Sequence, residues 1–164
     1  MNAIEILTRA LTSSGEMMKM TLADFTDAEM LTRPCAGANH PLWQVGHLCV
    51  AETNIGNMIK AGSMPELPAG FAERFENKKT NHVDDPAQLA SKAQLVEIFT
   101  KARAATIANL KNYSEADLDA PGPERLRRMA ATVGEAFDMN AQHVMMHLGQ
   151  IQVARRKLGK PILF

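Results

Sequence analysis

Four stretches of this chain carry apolar residues at three- and four-residue intervals, and connections punctuated by proline and glycine separate them. In the first, Ile4, Leu7, Leu11, Met18, Leu22 and Phe25 form one stripe with a 3.6-residue period, which predicts an amphipathic helix over 3–25. Asn39 or His40 as cap and Pro41 in the first turn predict a second helix. It runs through Trp43, Val45, His47, Leu48 and Ile55 and stops at Gly62. Asp85 as cap, Pro86 at the first position and Gln88 at the third predict a third, continuing through Leu89, Ala93, Val96, Phe99, Ile107 and Leu110. Thr132-Val133-Gly134-Glu135 reads as the capping box of a fourth. That helix ends at Gly159, with Arg155, Arg156 and Lys157 in the last turns, where cations suit the helix dipole.

No strand pattern competes: the β-branched residues are scattered and no Asn-Gly or Asp-Gly hairpin turn occurs. An all-α four-helix bundle with long inter-helix connections, one domain over 1–164, is therefore the expected fold. The connection over 62–86 contains Pro65, Pro68, Gly70 and Pro86, with a short helical piece around Phe71–Phe75. Connections of that length are often lids or binding loops. With Lys+Arg 18 and Asp+Glu 18 the chain has no net charge, which argues against a protein whose main work is gripping nucleic acid. No run of apolar residues is long enough for a membrane span, and the first twenty residues lack the pattern of a secretion signal. Cys35 and Cys49 do not suggest a disulfide framework, so the cytoplasm is the expected location.

The chemistry-bearing feature is His143-Val144-Met145-Met146-His147. Residues four apart lie one turn above each other on a helix, so both imidazoles can ligate one ion. Five histidines placed at random in this chain would give about 0.15 such pairs, so spacing alone is weak. The surroundings strengthen it: Asn140 and Gln150 extend a polar strip that Phe137, Val144, Leu148 and Ile151 flank. Two inward imidazoles without a partner for their lone pairs would be penalised, and a metal satisfies both. The plainer reading is an exposed pair or two hydrogen-bonded core histidines. His47 in the second helix is the third candidate: Gly46 beside it admits a neighbouring helix, while Trp43 and Val50 wall its face. Three imidazoles would leave coordination positions open, as in catalytic rather than closed structural sites.

Trp43-x-x-Gly-His-x-x-x-x-Glu52 and His143-x-x-x-His-x-x-Gln150 together resemble the DinB-like superfamily, with its YfiT-type metal-dependent hydrolases and thiol-dependent S-transferases. The resemblance covers essentially the whole chain. It implies a four-helix bundle of DinB/YfiT type, with a divalent metal, zinc or nickel, on His47, His143 and His147. It also implies a small-molecule substrate and, in members with an assigned reaction, a low-molecular-weight thiol cosubstrate.

The leading expectation is a metal-dependent enzyme of the thiol-dependent S-transferase or hydrolase type. Neutral ligands leave the ion its full charge, which acidifies a bound water or thiol. A non-enzymatic bundle that binds a metal or small ligand, as sensor or carrier, is the alternative. Asn54, Asn140 and Gln150 are candidates to orient substrate or water, though each is more simply an interior hydrogen bonder. Arg103, near the stripe of the third helix, can hold a substrate carboxylate; a boundary residue with its head in water is the preferred reading. His82 reads as a solvated loop residue, Cys35 as a remote fourth ligand, and the basic run Arg155–Lys157 as a solvated face. The apolar terminus Pro161–Phe164 suits packing on the bundle or a homodimer contact. No residue is assigned a catalytic role.

Overall fold

The computed structural model describes residues 1–76 and 83–164. The helices are α1 (Ala3–Leu22), α2 (Pro41–Ile59), α3 (Phe71–Glu76), α4 (Lys92–Leu110), α5 (Glu115–Leu118) and α6 (Val133–Lys157). The described residues contain no strand, only one isolated bridge between Pro121 and Thr132. The four long helices pack as the expected bundle, with α3 and α5 lying in its connections. None of the described helices is long and apolar enough to cross a membrane.

Local chemistry sets the ends. Asn2 caps α1 in a full capping box with Glu5, and the helix stops at Leu22 rather than Phe25, whose side chain is nevertheless buried. His40 caps α2: its Nδ1 accepts from the Trp43 amide at 3.0 Å, with Pro41 at the first helical position. The expected start of the third long helix is corrected. Asp85 accepts from the Ala87 amide and the Gln88 side chain, but this caps only the single 3-10 turn Pro86–Gln88. Leu89 is buried directly after this turn, and α4 begins at Lys92 under a second capping box, Ser91 with Gln94. Thr132 caps α6 as expected. Glu135, however, reaches the Ala131 amide instead of Thr132, so the box is only half formed. Helix α6 ends at Lys157, and Gly159 takes the left-handed conformation (φ 69°) that closes helices without strain. The short α5, capped by Ser114, was not foreseen.

Helix directions follow from which residues touch. Cys49 reaches the Leu95 carbonyl and Glu52 pairs with Arg103, so α2 and α4 run parallel. Arg155 donates to the Thr21 carbonyl while Phe137 packs with Leu11, so α1 and α6 also run parallel. Arg103 meets Leu11 and Lys92 meets Leu22, making α1 and α4 antiparallel. Gln44 meets His147 and Ile55 packs with Ala136, making α2 and α6 antiparallel. Around the bundle the order is α1, α6, α2, α4. Parallel neighbours cannot be joined by a tight turn. The chain leaving α2 must travel the length of a 19-residue helix, about 28 Å, before α4 starts. This topology accounts for the long 60–91 connection. Its α3 buries Phe71 and Phe75 in the core, and Arg74 ties it down by donating to the Gly70 and Leu89 carbonyls.

The basic run at the end of α6 is also corrected. Arg155 is buried, with its guanidinium donating to Asp24, the Thr21 carbonyl and the Pro161 carbonyl. A charge at this level is tolerable because each contact is charge-assisted or to a carbonyl. Arg156 and Lys157 remain exposed. The terminus is held through the Pro161 carbonyl, while the Ile162 and Phe164 side chains are exposed.

Candidate metal centre

The antiparallel pairing of α2 and α6 brings His47 level with His143 and His147. One donor nitrogen from each of the three rings lies within 4.8 Å of the others, the group of possible metal donors found among the described residues. His143 and His147, one turn apart on α6, have their Nε2 atoms 3.1 Å apart. The His47 ring stands edge-on to both, with centroids 5.2 Å from His143 and 5.5 Å from His147. His147 is buried at 5% exposure, whereas His47 and His143 are half-buried, so the cluster is reached from the solvent side of the α2–α6 seam.

Each ring is set by its helix. Trp43, one turn before His47, stacks on it with centroids 5.0 Å apart and planes 5° from parallel, which fixes the ring plane and keeps water off that face. Gly46 admits close packing as expected, although the neighbour it admits is α3: a Cβ there would lie only 2.2 Å from the Phe75 ring. Gln44, one turn along α2 and fully buried, places Oε1 3.0 Å from His147 Nδ1 while its amide nitrogen donates to the Asn39 carbonyl at 2.7 Å.

The surroundings hold the two α6 imidazoles neutral. Burial, with His47 beside it, pushes His143 down to about 4. Burial, then His143 and His47, push His147 down to about 3. At neutral pH each of these two rings offers a lone pair without first losing a proton. Imidazole nitrogen donors from two rigid helices, with solvent on one side, are a donor set that suits a borderline divalent ion.

The remaining candidates are dispersed. Asn140 is buried one turn before His143; its carbonyl accepts from Arg103 and its amide nitrogen has no hydrogen-bond partner in the protein. Asn54 is half-buried on α2, and Gln150 is exposed on α6. Arg103 has no wet head. It is 5% exposed and bound at Nε and Nη2 by Glu52, with Nη1 donating to the Leu11 carbonyl and Ser14 Oγ. The acid of the α2 motif is thereby engaged with α4. Cys35 is exposed, Cys49 is buried against the Leu95 carbonyl, and His82 lies outside the described residues. Sequence reasoning missed Gln44 altogether. A glutamine among Pro41, Leu42, Trp43 and Val45, three residues before His47, was the available signal.

A family model described as the DinB superfamily matches residues 10–151. No curated protein matches the sequence. Among solved structures, the chain is similar to a conserved protein from Enterococcus faecalis, at 20% identity and a TM-score of 0.73. The match covers 98% of this chain and 99% of that one, and it is a likeness of fold.

Proposed function

The chain belongs to the DinB superfamily, and from that premise we propose that it is a metal-dependent enzyme of the transferase or hydrolase type whose divalent ion is held by His47, His143 and His147. The observation that carries this reading is the convergence of three imidazoles from α2 and α6 within 4.8 Å. Zinc or nickel is the ion proposed. Bound there on uncharged ligands, it would supply acidification of a water or thiol at neutral pH.

The protein's own residues do the positioning. Trp43 holds the His47 plane, and the helical spacing of His143 and His147 aims both rings to one point. The half-buried edges of His47 and His143 leave a side for a small-molecule substrate, and the unused donor of Asn140 is the substrate-orienting candidate the structure most favours. A low-molecular-weight thiol is the proposed cosubstrate. The reading further takes 1–164 as a single domain acting in the cytoplasm and pairing as a homodimer, with neither nucleic acid nor membrane as partner.

One observation favours the alternative, a metal- or ligand-binding bundle without turnover: Glu52, the carboxylate of the α2 motif, is committed to Arg103 and is not available for proton transfer. Elemental analysis of untagged protein, followed by a thiol-transfer and esterase screen, separates the two. Stoichiometric metal with turnover that His147→Ala abolishes is the expected result. Stoichiometric metal without turnover favours the binding module, and metal-free protein with no gain on adding zinc or nickel ends the metal-dependent form of both readings.

A further inference from the structure

Gln44 is 0% exposed, on a helix whose neighbouring residues Leu42, Trp43 and Val45 are also buried. Burying an amide there is unfavourable unless both ends are hydrogen-bonded. Both ends are: Nε2 donates to the Asn39 carbonyl at 2.7 Å, and Oε1 lies 3.0 Å from His147 Nδ1. The order of these two contacts is not interchangeable. A backbone carbonyl can only accept, so the NH2 end of Gln44 must face Asn39 and its oxygen must face His147. An amide oxygen can likewise only accept, so the His147 nitrogen that meets it must carry the proton.

From this chain of polarity we propose that Gln44 is a positioning residue that locks His147 in the Nδ1–H tautomer and aims its Nε2 lone pair into the histidine cluster. The lock begins at the start of α2. With His40 as cap, Asn39 and Gln44 occupy the positions that an apolar staple often joins across a helix start. Here a carbonyl–amide contact replaces the apolar one and hands its polarity on to α6. A second consequence concerns His143. Its Nε2 lies 3.1 Å from the His147 Nε2 that the lock leaves unprotonated, so in metal-free protein His143 carries its proton on Nε2 and donates it there. Before His143 Nε2 can become a ligand, that proton leaves to solvent and Nδ1 takes one up, and the ring stays neutral throughout.

This inference rests on the metal-centre reading for its purpose but not for its test. Long-range proton–nitrogen NMR on chelator-treated wild-type protein at neutral pH reads the tautomer directly, with the expected signatures being Nδ1–H for His147 and Nε2–H for His143. Gln44→Met keeps the bulk and removes the acceptor, so His147 should populate both tautomers and zinc affinity, measured by chelator competition, should fall 10- to 100-fold. A wild-type His147 protonated on Nε2 overturns the proposal, as does a folded Gln44→Met protein with unchanged tautomer and zinc affinity. Wild-type protein that shows the Gln44-dependent tautomer but binds no zinc or nickel upholds the lock and removes the metal-centre reading instead.

Discussion

Arg103 grips Glu52 at two points, Nε to Oε1 at 2.9 Å and Nη2 to Oε2 at 3.0 Å, with both side chains nearly fully buried. The same guanidinium reaches the Leu11 carbonyl and Ser14 on α1 and the Asn140 carbonyl on α6, so one side chain of α4 touches the other three long helices. Removing one partner of such a pair strands the other's charge in the core. Arg103→Met is expected to lower unfolding free energy by about 3–5 kcal/mol in urea denaturation. Arg103→Met with Glu52→Leu should recover part of that loss. A single substitution within 0.5 kcal/mol of wild type would show that the pair bears little weight.

The metal-free protein should lose stability in mild acid. His143 lies at about 4 and His147 at about 3 in the folded chain, against 6.5 for an ordinary imidazole. Depressed basicity means that the unfolded chain binds more protons between these values, so stability is full above pH 6.5 and declines as pH falls towards 4 and then 3. Melting temperature against pH in the presence of chelator measures this. His143→Gln should flatten the slope between pH 6.5 and 5, where carboxylates contribute least; an unchanged slope would refute the assignment.

Metal addition should raise stability by mass action. Free zinc or nickel at one hundred times its dissociation constant is expected to add about 2.7 kcal/mol to the unfolding free energy. His47→Ala, His143→Ala and His147→Ala should each abolish most of that gain. Equal stabilisation of wild type and of all three variants would place the ion elsewhere.

Gly46→Ala tests the packing behind the centre. Alanine is the better helix former by roughly 1 kcal/mol, but its Cβ would enter the space of the fully buried Phe75 ring. Overpacking of this kind is expected to destabilise by about 1–3 kcal/mol, and Phe75→Leu should partly relieve it in the double variant. Thermal unfolding of the two single variants and the double variant is sufficient; a more stable Gly46→Ala protein would contradict the contact.

Much of the bundle was legible from residue order. The stripe from Leu11 to Leu22 is buried as its period requires, the His40–Pro41 start of α2 stands, and Thr132 caps α6. The main error in the helix boundaries concerned the third long helix. Asp85-Pro86 read as the start of the third long helix but opens only a 3-10 turn, and the helix itself starts under the capping box of Ser91 with Gln94, a signal the sequence reading passed over. The face shared by His143 and His147 was readable because it depends on helical spacing alone. Gln150 continues the stripe of His143 and His147 but at its solvent edge: it lies about 60° round the helix from the buried His147 and is exposed.

What residue order determined has a range of about one helical turn: where most of the long helices start, which face is apolar, and that two imidazoles sit one above the other. Tertiary structure alone decided that α2 runs parallel to α4, that Arg103 and Arg155 are buried and paired, and that Gln44 meets His147 from 103 positions away. The reason is physical. Helical periodicity is a property of the local backbone, whereas a partner on another helix depends on relative rotation, shift and direction, which only the simultaneous packing of the whole core sets.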